Sequence, residues 1–364
     1  MSSTEATDPT AADGRGGRLA ELVAREGLDA LFVGDLTNIR YLTAFTGTNA
    51  ACLVGPDERV FLTDFRYVER AEAEVGEGWE RPPTERDFVP QLAARMKGRV
   101  GFEDAKLSVR QLGKLREAVG KRAELLPAGD LVEEMRAVKD AAEIERIAAA
   151  AGLADEVYRW AIEGGLAGRT ELEVARSCEA RIRESGAEPS FAPIVAAGPN
   201  GALPHAEPGE REIGPGALVV FDMGAQLDGY CSDCTRTFAT TDPGDEAREV
   251  YELVRTAQAA ALGAVRPGVG GRDADAAARV PIESAGHGER FGHGLGHGVG
   301  LEVHEGPRLA ASSEDEIREG NVVTVEPGIY LPGRFGVRIE DLVVVGGQSN
   351  RNLSGLSKEL TVVG

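Results

Sequence analysis

The sequence predicts two domains in series, an α/β domain followed by a larger α+β domain. Three observations lead there. The chain has 364 residues, enough for two cores of ordinary size. Residues 18–126 alternate short helix and strand patterns and hold no histidine. Residues 140–364 open on long helical patterns, continue as strands and helices among Gly/Pro turns, and hold all five histidines.

Residues 1–17 are rich in Ser, Thr, Ala, Asp and Gly and read as a disordered tail. They lack the basic start and apolar run of a signal peptide. Leu19, Leu22 and Val23 then suit an amphipathic helix, followed by the strand Ala30-Leu31-Phe32-Val33. Cys52-Leu53-Val54 and Val60-Phe61-Leu62-Thr63 read as paired strands around Gly55-Pro56-Asp57. Helices near 86–97 and 108–119 bracket a strand at 99–102, which completes an α/β domain with a mixed sheet over 18–126. Residues 127–139 read as a linker. Asp140 with Glu143 forms a capping box for a helix reaching about 162, and Thr170 with Glu173 does the same for a helix over 170–185. Further helices are expected near 245–263 and 272–284.

Composition narrows the class. Apolar content of 42% and charged content of 27% suit a globular protein, and a net charge of −20 argues against nucleic acid or an anionic membrane as partner. No run approaches the ~18 apolar residues of a membrane span. Four cysteines are too few for a disulfide framework in a chain of this size, and a cytoplasmic location is the default expectation.

Three of the five histidines fall within 293–304, among alternating glycines that would let backbone approach a ligand closely. Asp222 ends the apolar strand Leu218-Val219-Val220-Phe221, and Asp233 lies in the next strand, over 230–239. Asp228-Gly229 between them is a type I′ hairpin signal. That turn sets residue 222 opposite 235 and makes Asp222 and Asp233 diagonal neighbours on one face. Glu326 follows the strand Val322-Val323-Thr324-Val325, and Glu340 sits in a strand expected over 337–345, on the same face as Arg338. Each acid taken alone is more often solvated or turn-forming. Together, beside strongly apolar strands, they need a cation. Carboxylates with one imidazole, His297, suit Mn²⁺, Fe²⁺, Co²⁺ or Zn²⁺, and four acids suit two ions better than one.

The order Asp222, Asp233, His297, Glu326, Glu340 resembles the ligand set of the pita-bread (M24) metallopeptidases, which include methionine aminopeptidase, aminopeptidase P and prolidase. The run His293-Gly294-Leu295-Gly296-His297-Gly298-Val299-Gly300-Leu301-Glu302-Val303-His304-Glu305 resembles the signature of their proline-peptidase branch. Similar matches are Leu203-Pro204-His205, Asp222-Met223-Gly224, Ser232-Asp233-Cys234-Thr235-Arg236-Thr237, Val325-Glu326-Pro327-Gly328 and Val337-Arg338-Ile339-Glu340-Asp341. Arg136, Lys139, Glu143 and Ile144 resemble the family's domain junction, and Asn38, Tyr41, Asp64, Arg66 and Tyr67 its creatinase-like N-terminal domain.

The resemblance implies a pita-bread catalytic domain over 140–364 and hydrolysis of the bond between an N-terminal residue and proline in short peptides. It implies two divalent ions, Mn²⁺ first among them. Asp222 would bind one bidentately, His297 and Glu326 the other, with Asp233 and Glu340 bridging. A hydroxide between the ions would attack the scissile carbonyl. His205 would stabilise the tetrahedral intermediate or shuttle a proton, His304 would contact the substrate carbonyl or leaving nitrogen, and His293 would line the proline pocket. Arg338 would orient Glu340 and the substrate, and Glu326 would also move protons. His287 reads as a plain loop residue. A homodimer is implied as well.

An Xaa-Pro aminopeptidase is the favoured reading and a strict Xaa-Pro dipeptidase the alternative. A metal-free creatinase-like amidinohydrolase and a non-catalytic binding protein share the fold, but both usually lose ligands that are intact here. Other motifs mislead. Cys231-Ser232-Asp233-Cys234 has no second CxxC and lies in a strand pattern rather than at a helix N-terminus. His304-Glu305 lacks the second histidine of HExxH, since residue 308 is Arg. Neither GxGxxG nor GxSxG occurs in register.

Overall fold

The computed structural model describes residues 9–84 and 87–364, with side chains from residue 14 onward. The chain divides into two compact units, Met1–Arg136 and Ala137–Gly364.

The first unit is built on a five-stranded mixed sheet in the order Arg59–Thr63, Ala50–Val54, Ala30–Val33, Gly98–Phe102, Ala123–Pro127. The first three strands pair antiparallel and the last two join in parallel, as expected for an α/β domain. The parallel pairings need crossovers, which the helices Val89–Arg95 and Val109–Val119 supply. The first of these is shorter than its expected span, of which residue 86 lies outside the described residues.

The tail expected over 1–17 is corrected from Pro9 on. A helix runs Pro9–Arg25, while residues 1–8 lie outside the described residues. Its residues Arg15 and Gly16 pack closely. A Cβ on Gly16 would come within 2.9 Å of the Trp79 ring, and Arg15 Nη1 donates to the Tyr41 carbonyl at 3.1 Å. The expected linker contains a helix, Leu131–Ala137, tied to the first unit. Asn38 donates to Glu133 at 2.7 Å, and Arg136 donates to Asn38 at 2.7 Å.

In the second unit two helix pairs each back a sheet. Ala141–Glu163 and Glu171–Glu184 pack on the strands Thr235–Ala239, Leu218–Asp222 and Ile194–Ala197. Asp245–Ala264 and Gly271–Ser284 pack on the sheet Glu305–Leu309, Gly296–Gly298, Val322–Val325, Asp341–Val344, Arg351–Asn352. Both expected capping boxes form, at Asp140 and at Thr170. Two expected strands are broken. The span 337–345 splits into Phe335–Arg338, which pairs with Gly328–Leu331, and Asp341–Val344, which pairs with Val322–Val325. Ile339 and Glu340 make the step between two sheets, so one continuous ladder is geometrically excluded. The span 230–239 is likewise interrupted at 232–234.

All four cysteines are free and buried. Among the described residues no helix is long and apolar enough to cross a membrane.

Candidate metal centre

The site begins with the hairpin. Asp228 and Gly229 both have positive φ, 50° and 84°, as a type I′ turn requires. The register sets Leu227 against Tyr230 and Asp222 against Thr235. Burial of the whole strand Leu218–Asp222 fixes that register, because a slip by one residue would turn Asp222 to the opposite face.

The histidine run forms a short strand, Gly296–Gly298, between two neighbours. Gly296 and Gly298 admit the neighbouring strands at close range. A Cβ on Gly296 would lie 2.1 Å from the Thr324 carbonyl oxygen, and one on Gly298 would lie 2.0 Å from that of Gly306. His297 is therefore clamped. Its N–H donates to Thr324 Oγ1 at 3.0 Å, and that hydroxyl donates to Glu326 Oε1 at 3.1 Å. His297 Nδ1 lies 3.1 Å from the Gly298 carbonyl, which makes Nδ1 the protonated nitrogen. Nε2 lies 3.3 Å from Glu326 and 3.6 Å from Asp233.

Glu340 N–H donates to the Thr235 carbonyl at 3.1 Å, and its Oε2 accepts from Thr235 Oγ1 at 2.8 Å. Ligand atoms of Asp233, His297 and Glu340 lie within 4.8 Å of one another. Arg338, buried in the same region, donates from Nη2 to Asp222 at 2.6 Å and from Nε to Thr235 Oγ1 at 2.9 Å. It thus reaches Asp222 directly and Glu340 through Thr235. Its Nη1 donates to the Tyr330 hydroxyl at 2.9 Å and to the Pro204 carbonyl at 3.0 Å.

The electrostatics call for a cation. Burial, then the charges of Glu340, Asp222 and Glu326, push the Asp233 carboxyl well above its usual range. Burial, then Glu326 and Asp222, do the same to Glu340. Burial also raises Asp222, against the pull of Arg338. Burial opposes ionisation of Glu326 too, but its hydrogen bond to His297 holds it down at about 2. Burial lowers His297, and Glu326 more than reverses this. Asp222 Oδ1 and Glu340 Oε1 are buried without any hydrogen-bond donor. Unpartnered buried carboxylate oxygens are costly, and a divalent ion satisfies them. The donor set fits such ions.

The other sequence candidates surround this cluster. The His304 ring meets that of His297 edge-on, with centroids 4.4 Å apart. His293 Nε2 lies 2.9 Å from the Tyr330 hydroxyl, and its Nδ1 lies 2.8 Å from the Gly294 carbonyl. His205 lies on an exposed turn and acts electrostatically on both His293 and His304. His287 lies in the loop after Gly271–Ser284, away from these contacts.

Sequence reasoning missed Thr235 and Tyr330. The hairpin register already put Thr235 opposite Asp222, so its place was available. Tyr330 carried no local signal. The thiols of Cys231 and Cys234 hydrogen-bond to the carbonyls of Leu301 and Glu340, and burial pushes Cys234 far up, which leaves no redox pair.

Comparison with known proteins agrees with this architecture. Residues 145–346 match metallopeptidase family M24, and residues 15–138 match the creatinase/prolidase N-terminal domain. An Xaa-Pro dipeptidase of Pyrococcus horikoshii is 34% identical over 94% of this chain and 97% of its own length. Among solved structures, an Xaa-Pro dipeptidase from Bacillus anthracis superposes with a TM-score of 0.93 at 38% identity, covering 96% of this chain and 99% of its own. An X-Pro aminopeptidase from Thermotoga maritima gives 0.86 at 35% identity, covering 95% and 100%.

Proposed function

This chain belongs to metallopeptidase family M24, and from that premise we propose that it hydrolyses the bond between an N-terminal residue and a following proline in short peptides. Its creatinase-like N-terminal domain and pita-bread catalytic domain are those of the family. The observation that carries the proposal is the cluster of Asp233, His297 and Glu340, flanked by Asp222 and Glu326. Four carboxylates against the one guanidinium of Arg338 suit two divalent ions, Mn²⁺ first among them.

Asp222, Asp233, His297, Glu326 and Glu340 would hold those ions. When bound, they would supply Lewis-acid polarisation and a water of lowered pKa. The remaining roles belong to the chain. Glu326, held by Thr324 and His297, is the carboxylate we assign to take up the water's proton. His304 would donate to the substrate carbonyl or the leaving nitrogen, and His205 would stabilise the tetrahedral oxyanion from its exposed turn. His293, braced by Tyr330, would line the proline pocket, and Arg338 would keep Asp222 oriented. Proline fixes φ and removes the amide hydrogen, so a rigid pocket must recognise its ring rather than an N–H.

Names among the relatives favour a second reading, the strict Xaa-Pro dipeptidase. Free, buried cysteines suit a cytoplasmic setting, which belongs to the proposal together with a homodimer, to be tested by sedimentation velocity.

The deciding experiment is hydrolysis of Ala-Pro, Ala-Pro-Ala and Ala-Ala-Ala by Mn²⁺-loaded protein, with Asp233→Ala as control. Cleavage of Ala-Pro-Ala identifies an aminopeptidase, and cleavage of Ala-Pro alone a dipeptidase. Equal turnover of Ala-Ala-Ala removes the proline requirement. No turnover with metal bound refutes the peptidase reading, and failure to bind metal favours the creatinase-like or binding-protein readings.

A further inference from the structure

We infer that the buried ion pair between Lys139 and Glu305 is a positioning device for His304. Lys139 stands at the start of the second unit, and Glu305 immediately follows His304. The two are 166 residues apart in the chain, yet Lys139 Nζ lies 3.2 Å from Glu305 Oε2, and the two side chains are only 1% and 5% exposed.

Both ends of the pair are anchored. Lys139 N–H donates to the Gly320 carbonyl at 2.9 Å, and Asn321, fully buried, donates from Nδ2 to the Ala137 carbonyl at 2.8 Å. Lys139 is therefore fixed to the segment that enters the strand Val322–Val325 and ends at Glu326. At the other end, the turn over 300–305 folds around the Glu305 carboxylate. Oε1 accepts from Glu302 N–H at 2.9 Å. Gly300 N–H donates to the Glu302 carbonyl at 3.0 Å, and the Gly300 carbonyl accepts from Cys231 N–H at 2.8 Å. A Cβ on Gly300 would lie 2.6 Å from Glu305 Oε2, so the carboxylate occupies the space a side chain would need. His304 thus leaves a turn whose centre is a buried anion, and the ammonium of Lys139 keeps that anion inside.

Removing the ammonium takes away the cation 3.2 Å from a buried carboxylate, which then gains by moving toward water. The turn moves with it and carries His304 out of register with His297. A misplacement near 1 Å costs up to about a hundredfold in rate. Lys139 touches neither metal nor substrate on this reading and acts only through the turn.

The inference rests on the role proposed for His304, and the test separates the two. Lys139→Met, Lys139→Arg and Glu305→Gln are made alone and with His304→Ala, and steady-state kinetics on the cleaved peptide are combined with metal content and melting temperature. Lys139→Met and Glu305→Gln should each lower kcat roughly 10- to 100-fold, leave KM within about threefold, and leave metal content unchanged. Lys139→Arg should recover most of the loss. On the His304→Ala background, Lys139→Met should cost about twofold or less, because both changes remove the same contribution.

Full multiplication of the two effects, with His304→Ala itself impaired, overturns the inference and leaves the role of His304 standing. Loss of metal in place of kcat also overturns it. A His304→Ala variant with wild-type kcat refutes the role of His304, and the inference with it. If Lys139→Met does not fold, Glu305→Gln, nearly isosteric, supplies the same comparison.

Discussion

Arg236→Met should destabilise the second unit by about 3 to 5 kcal/mol. Arg236 is 1% exposed and donates from Nη2 to Asp341 at 2.8 Å, where Asp341 is fully buried. It also donates to the carbonyls of Leu356 at 2.9 Å, Ser357 at 3.1 Å and Thr235 at 2.9 Å, and to that of Glu340. One guanidinium thus ties the C-terminal segment to the strand step that carries Glu340. Breaking a buried pair from one side costs about 3 to 5 kcal/mol because the partner charge stays behind. Asp341 keeps Lys358 at 2.6 Å, Gln258 at 3.0 Å and Asn352 at 2.9 Å, which favours the lower end of that range. The orphaned carbonyls push the other way. For a unit of this size each kcal/mol shifts the melting temperature by about 2–4 °C, so a drop on the order of 10 °C is expected. Differential scanning calorimetry in chelator measures it without a contribution from metal linkage. Arg236→Lys, which keeps the charge but loses the planar fork, should fall between. A loss below about 1 kcal/mol for Arg236→Met would mean that Asp341 does not depend on this guanidinium, since breaking a buried pair from one side ordinarily costs about 3 to 5 kcal/mol.

Other expectations concern pH, metal and the proline pocket. Burial pushes Glu103 up to about 7, against the donors of Asn38, Asp35 and Gly34. The folded state then binds the extra proton between the unfolded pKa and about 7, so this contribution is greatest in acid and is lost as pH rises through 7. A shift of that size is worth at most about 3 kcal/mol, and Glu103→Gln should flatten the stability slope of the first unit between about pH 4.5 and 7; an unchanged slope in urea titrations counts against it. Chelation should lower the melting temperature, and Mn²⁺ at 100 to 1,000 times its Kd should restore about 3–4 kcal/mol. Identical melting curves would show that the carboxylate cluster holds no ion. Tyr330→Phe removes the hydroxyl shared by His293 and Arg338. It should lower kcat/KM roughly tenfold with metal content intact, as befits one hydrogen bond to a charged group; loss of metal instead would place Tyr330 in support of the ligands.

Local chemistry made much of this protein legible. The capping boxes at Asp140 and Thr170 announced their helices because a cap is settled within four residues. Asp228-Gly229 announced the hairpin and set Asp222 against Thr235, because side chains alternate with a period of two. The five acid and imidazole candidates were readable because charges beside apolar strands demand an explanation. The tertiary structure alone decided the rest. The helix from Pro9 looked like a tail because a glycine such as Gly16 carries no packing signal of its own and meets Trp79 only in the fold. The glycines around His297 suggested a ligand, and only the sheet shows that neighbouring strands need the space. The break at Ile339 and Glu340 follows from two sheets competing for one segment, which no local pattern encodes. The pairs Arg236–Asp341 and Lys139–Glu305 join residues more than a hundred positions apart. Such partners are chosen by packing, because a buried charge accepts whichever opposite charge the fold brings to it.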